Sequence, residues 1–302
     1  MAEASADRIL FAVALRLGSV LLFQCMNAAI KLAEVAGATL GEILFFRQFG
    51  AALLIAGLVA AGPGLGSVRT RRFGAHVLRT AMGLTAMVLT FAALLALPLA
   101  EATSIGFTMP IFATILGALV LREPTGWHRW LAVAAGFAGV LIVAQPGSGS
   151  VPILGALSGL GAALTTAAVS ILLRQIAKTE ATMTTVFWFS ALSVLPLGIV
   201  YLFVAQPHDG YGWALLASVG LLGGIAQIFM TSSIRYGPVS LVVPMDYSSL
   251  LWATLFGWLF FDVLPTPMTW IGAPIIIASG LYIVWRERVR ARQATAQAIA
   301  VP

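Results

Sequence analysis

Charge is scarce in this sequence. Of 302 residues only 9% are Asp, Glu, Lys or Arg, against 60% hydrophobic, and the mean hydropathy is +0.98. Ordinary soluble domains hold about a quarter of their residues as charges, so a surface wetted all round is excluded. Cysteine is nearly absent: Cys25 stands alone within an apolar run and can form no intrachain disulfide. His76, His128 and His208 sit at the ends of different segments, so neither a metal cluster nor a histidine-based triad assembles from them. No Gly-x-x-x-x-Gly-Lys phosphate loop occurs, which excludes an ATP motor within the chain. An enzyme, a cofactor and a metal are therefore not expected. Hydrophilic stretches are short, confined to 62–74, 206–210 and the tail after Trp285, which leaves no separate soluble domain. Nor does the start read as a cleavable signal: Arg8 and Arg16 flank an apolar run that continues to Ile30 without a small-residue cleavage pattern.

What the sequence has in abundance is long apolar segments. A membrane-spanning helix needs about 20 mainly apolar residues, and polar breaks cut this chain into ten such stretches: 9–31, 42–61, 75–96, 101–121, 127–145, 151–174, 183–205, 212–235, 240–261 and 268–286. A closed strand barrel would show short alternating segments; these runs are continuously apolar, and helices satisfy their own backbone in lipid. The expectation is an all-α membrane protein of ten transmembrane helices.

The run from Pro98 to Val143 returns from Pro238 to Val284. At a constant shift of 140 residues, Pro98, Ala113, Thr114, Gly117, Leu119 and Trp130 meet Pro238, Ala253, Thr254, Gly257, Leu259 and Trp270, and upstream Gly83 and Ala86 meet Gly223 and Ala226. The chain thus divides into halves, 1–148 and 149–287, with a basic cytoplasmic tail at 288–302. With the N-terminus inside and ten crossings, fifteen of the seventeen basic residues fall on the cytoplasmic side, and only Lys31 and Arg47 on the other. Because five helices per half is odd, the second copy crosses in the opposite sense. Ten helices as two inverted five-helix repeats place a solute site near mid-membrane between the halves. The net charge of +6 is accounted for by this topology, with membrane lipid as the surrounding partner and no nucleic acid. The arginine-rich tail reads as a solvated, partly disordered anchor near anionic headgroups.

The motif Leu97-Pro98-Leu99-Ala100-Glu101-Ala102, the stretch from Pro110 to Glu123, the helix ending Gly139-Val140-Leu141-Ile142-Val143, and the matching Tyr236-Gly237-Pro238-Val239-Ser240 and Gly280-Leu281-Tyr282-Ile283-Val284 resemble the drug/metabolite transporter superfamily, EamA type. Within it the chain resembles bacterial amino-acid exporters, including those of aromatic amino acids. The resemblance implies a monomeric inner-membrane secondary transporter with both termini cytoplasmic, exporting small amphipathic metabolites by alternating access. It also implies that Asp262, one position out of register with Glu123, is a structural cap. A passive channel and a non-transporting scaffold are the competing classes.

Polar groups in hydrocarbon are site candidates because each must be paired or face a cavity. Gln24 and Asn27 share a face of the first helix, and their amides both donate and accept. Gln227 and Thr231 share a face in the eighth. Pro244-Met245-Asp246-Tyr247-Ser248-Ser249 interrupts the ninth span, where proline frees a backbone carbonyl. Tyr247 is the preferred contact for an apolar or aromatic solute, with Ser248 beside it, Phe107 from the fourth span and Thr166 from the sixth. Met82 suits an adaptable apolar wall. Among the charged groups, Asp246 is placed at the depth of Arg79 as a pair or gate. Arg47 is placed to pair with Glu42 or Glu34, or to take a solute carboxylate. Trp127, Trp130, Trp213, Trp270 and Trp285 fall at helix ends as an aromatic belt.

Overall fold

The computed structural model describes residues 2–62, 64–120, 126–145, 151–176, 179–236 and 243–300, and among these there is no strand. The helices are α1 (Ala2–Val35), α2 (Leu40–Ala61), α3 (Phe73–Ala96), α4 (Leu99–Gly106), α5 (Met109–Leu119), α6 (Trp127–Ala144), α7 (Ile153–Ile176), α8 (Thr182–Val204), α9 (Gly210–Tyr236), α10 (Ser249–Phe261) and α11 (Pro267–Ala300). Short 3-10 turns occupy Leu65–Val68 and Val243–Ser248. Among the described residues, nine segments are long and apolar enough to cross a membrane, α4 and α5 together counting as one; the ninth expected span is the Val243–Ser248 turn followed by α10. The chain is an integral membrane protein.

Two spans are broken where the sequence places proline or a polar interruption. The fourth divides at Phe107-Thr108, because Pro110 in the first turn of α5 has no amide to bond back to α4. The ninth divides at Ser248, where the 3-10 turn holding Asp246 and Tyr247 gives way to α10. Thr108 and Ser248 are 140 residues apart, so the break is itself repeated. The last helix does not stop at the membrane face. It continues to Ala300 where an irregular tail was expected, through a segment rich in Ala, Gln and Arg that favours helix. Asp262 closes α10 in the left-handed conformation, at φ 51°, an unusual but tolerated state for Asp.

The packing exchanges the two halves. The main partners are α1 with α9 and α3 with α7, α2 with α9 and α3 with α8, α2 with α8, and α6 with α11. If α1, α2, α3 and α6 correspond to α7, α8, α9 and α11, each of these pairs maps onto another or onto itself. This is what a two-fold related pair of repeats requires, and it makes the halves interlock. Lipid gives no hydrophobic drive for helices to associate, so close contact supplies it. Hence Gly50 of α2 faces Gly220 of α9, and Gly139 of α6 faces Gly272 of α11. Large side chains such as Leu202 and Phe203 point outward, 77% and 83% exposed, as lipid-facing groups do. The five tryptophans assigned to the belt are all exposed.

Candidate functional site

A cavity of about 250 Å³ lies where α1, α3, α4 and α7 meet near the N-terminus of α10. Its polar lining is neutral: Gln24 and Asn27 from α1, Thr90 from α3, Thr103 from α4, Thr166 from α7 and Ser249 from α10. Small residues such as Gly106, Gly159, Ala162 and Ala163 leave the space open, while Phe107 and Met109 supply apolar wall. Asn27 Nδ2 donates to Gln24 Oε1 at 3.2 Å, so the pair is preorganised with its remaining donors and acceptors available. Most of these residues lie around the middle of their spans. The lining of α3 comes from its last two turns and that of α7 from its middle turns, Gly159 to Thr166.

The floor is made by the two breaks. Phe107 packs edge-on against Tyr247, with ring centroids 4.9 Å apart. These residues are also 140 apart, so repeat mates touch at the centre of the molecule. Tyr247 is lodged against α11, because a Cβ on Gly280 would overlap its hydroxyl. Gly280→Ala is therefore expected to destabilise by about 1–3 kcal/mol, the usual cost of overpacking. In a Tyr247→Phe background most of that cost should vanish, since the next ring atom, Cζ, is 3.4 Å from the added methyl. Thermal unfolding of the two variants and their combination checks this; an unchanged cost in the Tyr247→Phe background would mean the ring is seated elsewhere.

Beyond the floor, towards the arginine-rich end, Arg16 Nε donates to Asp246 Oδ1 at 2.6 Å and Arg16 Nη2 donates to Asp246 Oδ2. Asp246 is therefore paired with Arg16 and not with Arg79 as expected. The sequence places Asp246 and Arg79 at one depth, but α1, not α3, packs against the 3-10 turn. Arg79 instead lays its guanidinium on the Phe189 ring, 3.5 Å from the centroid. The expected pairing of Arg47 is corrected too. Glu42 is held by His208 Nε2 at 2.9 Å, by the Gln206 amide at 2.9 Å and by Thr39 in a capping box, while Arg47 Nη1 donates to Gln48 Oε1. Glu42 thus serves the turn before α9, and Glu101 does the same for α11, accepting from Thr266 N at 3.1 Å and Thr269 Oγ1 at 3.0 Å.

Of the expected solute contacts, the structure brings Gln24, Asn27, Phe107 and Thr166 together in the cavity, with Tyr247 directly beneath. Met82, Gln227 and Thr231 are half-buried and lie outside its lining. Ser248 bonds to its own turn, Oγ to the Met245 carbonyl at 2.6 Å, and borders an apolar groove between α1 and α10. Sequence reasoning missed Thr90 and Arg16, and it held Ser249 only as the last residue of the Pro244–Ser249 interruption. The signal for Arg16 was present: a cation two turns inside an apolar run needs an acid at its own depth.

An interlocked inverted repeat with broken helices around a solute-sized central cavity defines a membrane transport fold. A profile of the EamA-like transporter family matches residues 10–145 and 153–285, one block for each repeat, and the chain belongs to that family. It is 30% identical over 230 residues to a riboflavin transporter of Vibrio cholerae, covering 75% of this chain and 76% of that protein. It is 30% identical over 264 residues to the pseudopaline exporter of Pseudomonas aeruginosa, covering 85% of this chain and 90% of that protein. A solved crystal structure superposes with a TM-score of 0.61 at 19% identity, over 92% of this chain and 98% of that one, which shows the shared fold.

Proposed function

We propose that this chain is a secondary transporter of the bacterial inner membrane that exports a small amphipathic metabolite of amino-acid size, aromatic amino acids among them, by alternating access. The arrangement that carries this reading is a cavity on one side of a closed floor, with the floor formed by repeat mates Phe107 and Tyr247 and a charge bridge beyond it. A site built on a pseudo-two-fold axis can open to either side if the halves rock, and the opening toward one face is then closed by contacts such as Arg16–Asp246. The neutral amides and hydroxyls suit a zwitterion or a hydroxylated solute, and Phe107 suits an apolar side. A volume of about 250 Å³ falls below the roughly 300–1,000 Å³ of pockets that hold drug-sized ligands, which favours amino-acid size. With the arginine-rich end cytoplasmic, both termini are cytoplasmic and the cavity lies toward the far side. One chain supplies the whole cavity, so the working unit is a monomer.

Counterflow of labelled amino acids into liposomes carrying the purified protein tests this reading. Saturable exchange of at least one amino acid is the expected result; absence of flux above empty liposomes across the full set sinks the substrate class. Asn27→Ala, which removes one half of the amide pair, is expected to raise the half-saturation concentration by up to about tenfold, the worth of one hydrogen bond. A scaffold protein would be indifferent to that change, and a channel would show no saturation.

A further inference from the structure

Two guanidinium groups sit inside the bundle with no acid beside them. Arg47 comes from α2 and Arg79 from α3, helices that pack against each other and both against α8. Arg47 Nε, Gln48 Nε2, and Nε and Nη1 of Arg79 are shut off from solvent without a hydrogen-bond acceptor. Among the described residues neither arginine forms an ion pair; Asp246 is taken by Arg16, and Glu42 by the turn before α9. Every unsatisfied group in this cluster is a donor. A guanidinium cannot shed its proton, and an unpaired buried charge is costly. Among the described residues no acid neutralises the two guanidinium groups, so the cluster is suited to an anion from outside the chain.

The placement follows the repeat. Gly83 and Gly223 are mates at the 140-residue shift, and an arginine lies beside each. A Cβ on Gly83 would stand 2.7 Å from Arg79 Nη1 and 2.8 Å from Phe189, and one on Gly223 would stand 2.8 Å from Met26 Sδ and 3.6 Å from Cγ and Nε of Arg47. Phe189 belongs to α8, the counterpart of α2, so both cations are seated at the junction of α2, α3, α8 and α9. The ring fixes the plane of one guanidinium fork. Two planar forks and an amide present the donor geometry that carboxylates and phosphates match.

We propose that Arg47, Arg79 and Gln48 form an oxyanion site that takes a carboxylate or phosphate group. On the transport reading above, the group belongs to the solute, and the inference rests on that reading for this point alone. A phospholipid headgroup is the other source of the same chemistry. The test uses the purified full chain in a neutral detergent. Thermal unfolding, followed by tryptophan fluorescence, is compared in sodium phosphate, sodium succinate and sodium chloride at equal ionic strength, and then in phosphatidylcholine nanodiscs with and without phosphatidylglycerol.

Saturable upward shifts of the midpoint in phosphate or succinate, absent in chloride, are expected for the unaltered chain. The double variant Arg47→Gln with Arg79→Gln should lose the response. In chloride its midpoint should equal or exceed that of the unaltered chain, because two unpaired charges are gone. Arg79→Lys keeps the charge but not the fork, and should weaken the apparent affinity at least about tenfold; this arm stands even if the double variant does not fold. A response to phosphatidylglycerol alone, lost with the arginines, assigns the site to a headgroup. Equal responses with and without the arginines, or none to any of these anions, overturn the proposal. Failure of amino-acid counterflow would leave the binding result standing, and the reverse also holds.

Discussion

Asp246→Asn and Arg16→Gln are each expected to cut transport at least about tenfold, and the exchanged pair, Arg16→Asp with Asp246→Arg, should recover much of the loss. The argument begins with geometry. Arg16 meets Asp246 through two parallel hydrogen bonds, a fork that holds α1 against the 3-10 turn. The Arg16 side chain is only 7% exposed, whereas that of Asp246 is 41% exposed. Removing the acid leaves a cation in a poorly solvated position. The cost stays below the roughly 3–5 kcal/mol of a fully buried pair because one partner is partly wet. On the proposed alternating-access reading, that cost falls on the state in which the arginine-rich end is closed while the cavity opens to the other side. Counterflow in liposomes, with size-exclusion profiles to confirm that each variant is folded, supplies the measurement. Single variants as active as the unaltered chain, or an exchanged pair as inactive as the singles, would remove the bridge from the transport cycle.

The outline of the fold was legible because membranes restrict the choices. Ten apolar runs, a shift of 140 residues and an uneven arginine distribution led to two inverted halves, and the exchange of packing partners between the halves agrees. The site was legible where a residue's chemistry is out of place in lipid: Gln24, Asn27 and the Asp246–Tyr247 interruption all lie at or just below the cavity. Thr90 was not legible, since a hydroxyl on a spanning helix is most often bonded to its own carbonyls, and Thr90 does bond to Ala86 at 2.7 Å while also lining the cavity. Charge pairing was misread for a different reason. Depth can be counted along a helix, but which helix lies opposite is set by packing, and that assignment gave Asp246 to Arg16 and left Arg79 beside Phe189.

The breaks show how an inverted repeat can keep its frame and change its chemistry. Both halves interrupt the same span at the same position, so their backbones meet near the axis. At that meeting point one copy offers Gly106 and Phe107, the other Asp246 and Tyr247. The uncharged copy lines the cavity, through Gly106 and Phe107, while the charged copy reaches past it to Arg16. A single duplicated turn thus supplies cavity wall in one half and a latch in the other. Gly83 and Gly223 divide in the same way: both repeats keep the glycine, but Arg79 crowds the first from its own helix, whereas Met26 of α1 and Arg47 of α2 border the second.

Gly220→Val is expected to cost the most of any substitution considered, with loss of folded protein. A Cβ on Gly220 would lie 2.5 Å from the Phe46 carbonyl oxygen and 3.0 Å from the Gly50 Cα, and both obstacles are backbone. A side chain could turn away; a packed helix can only retreat. Retreat would part α2 from α9 along their shared length, where association depends on close contact because lipid is as apolar as the residues it would replace. The expected cost exceeds about 3 kcal/mol, above the usual range for overpacking, and Gly220→Ala should fall between. Gly57 on the same α2 helix is the control, since a Cβ there meets nothing within 4 Å. Gly57→Ala should be neutral or stabilising by up to about 1 kcal/mol, as alanine is the better helix former. Unfolding in detergent, read by tryptophan fluorescence, compares the variants. If Gly220→Val unfolds at the same midpoint as the unaltered chain, the α2–α9 contact is looser than its glycines indicate, and the placement of Arg47 beside Gly223, one turn further along α9, must be reconsidered with it.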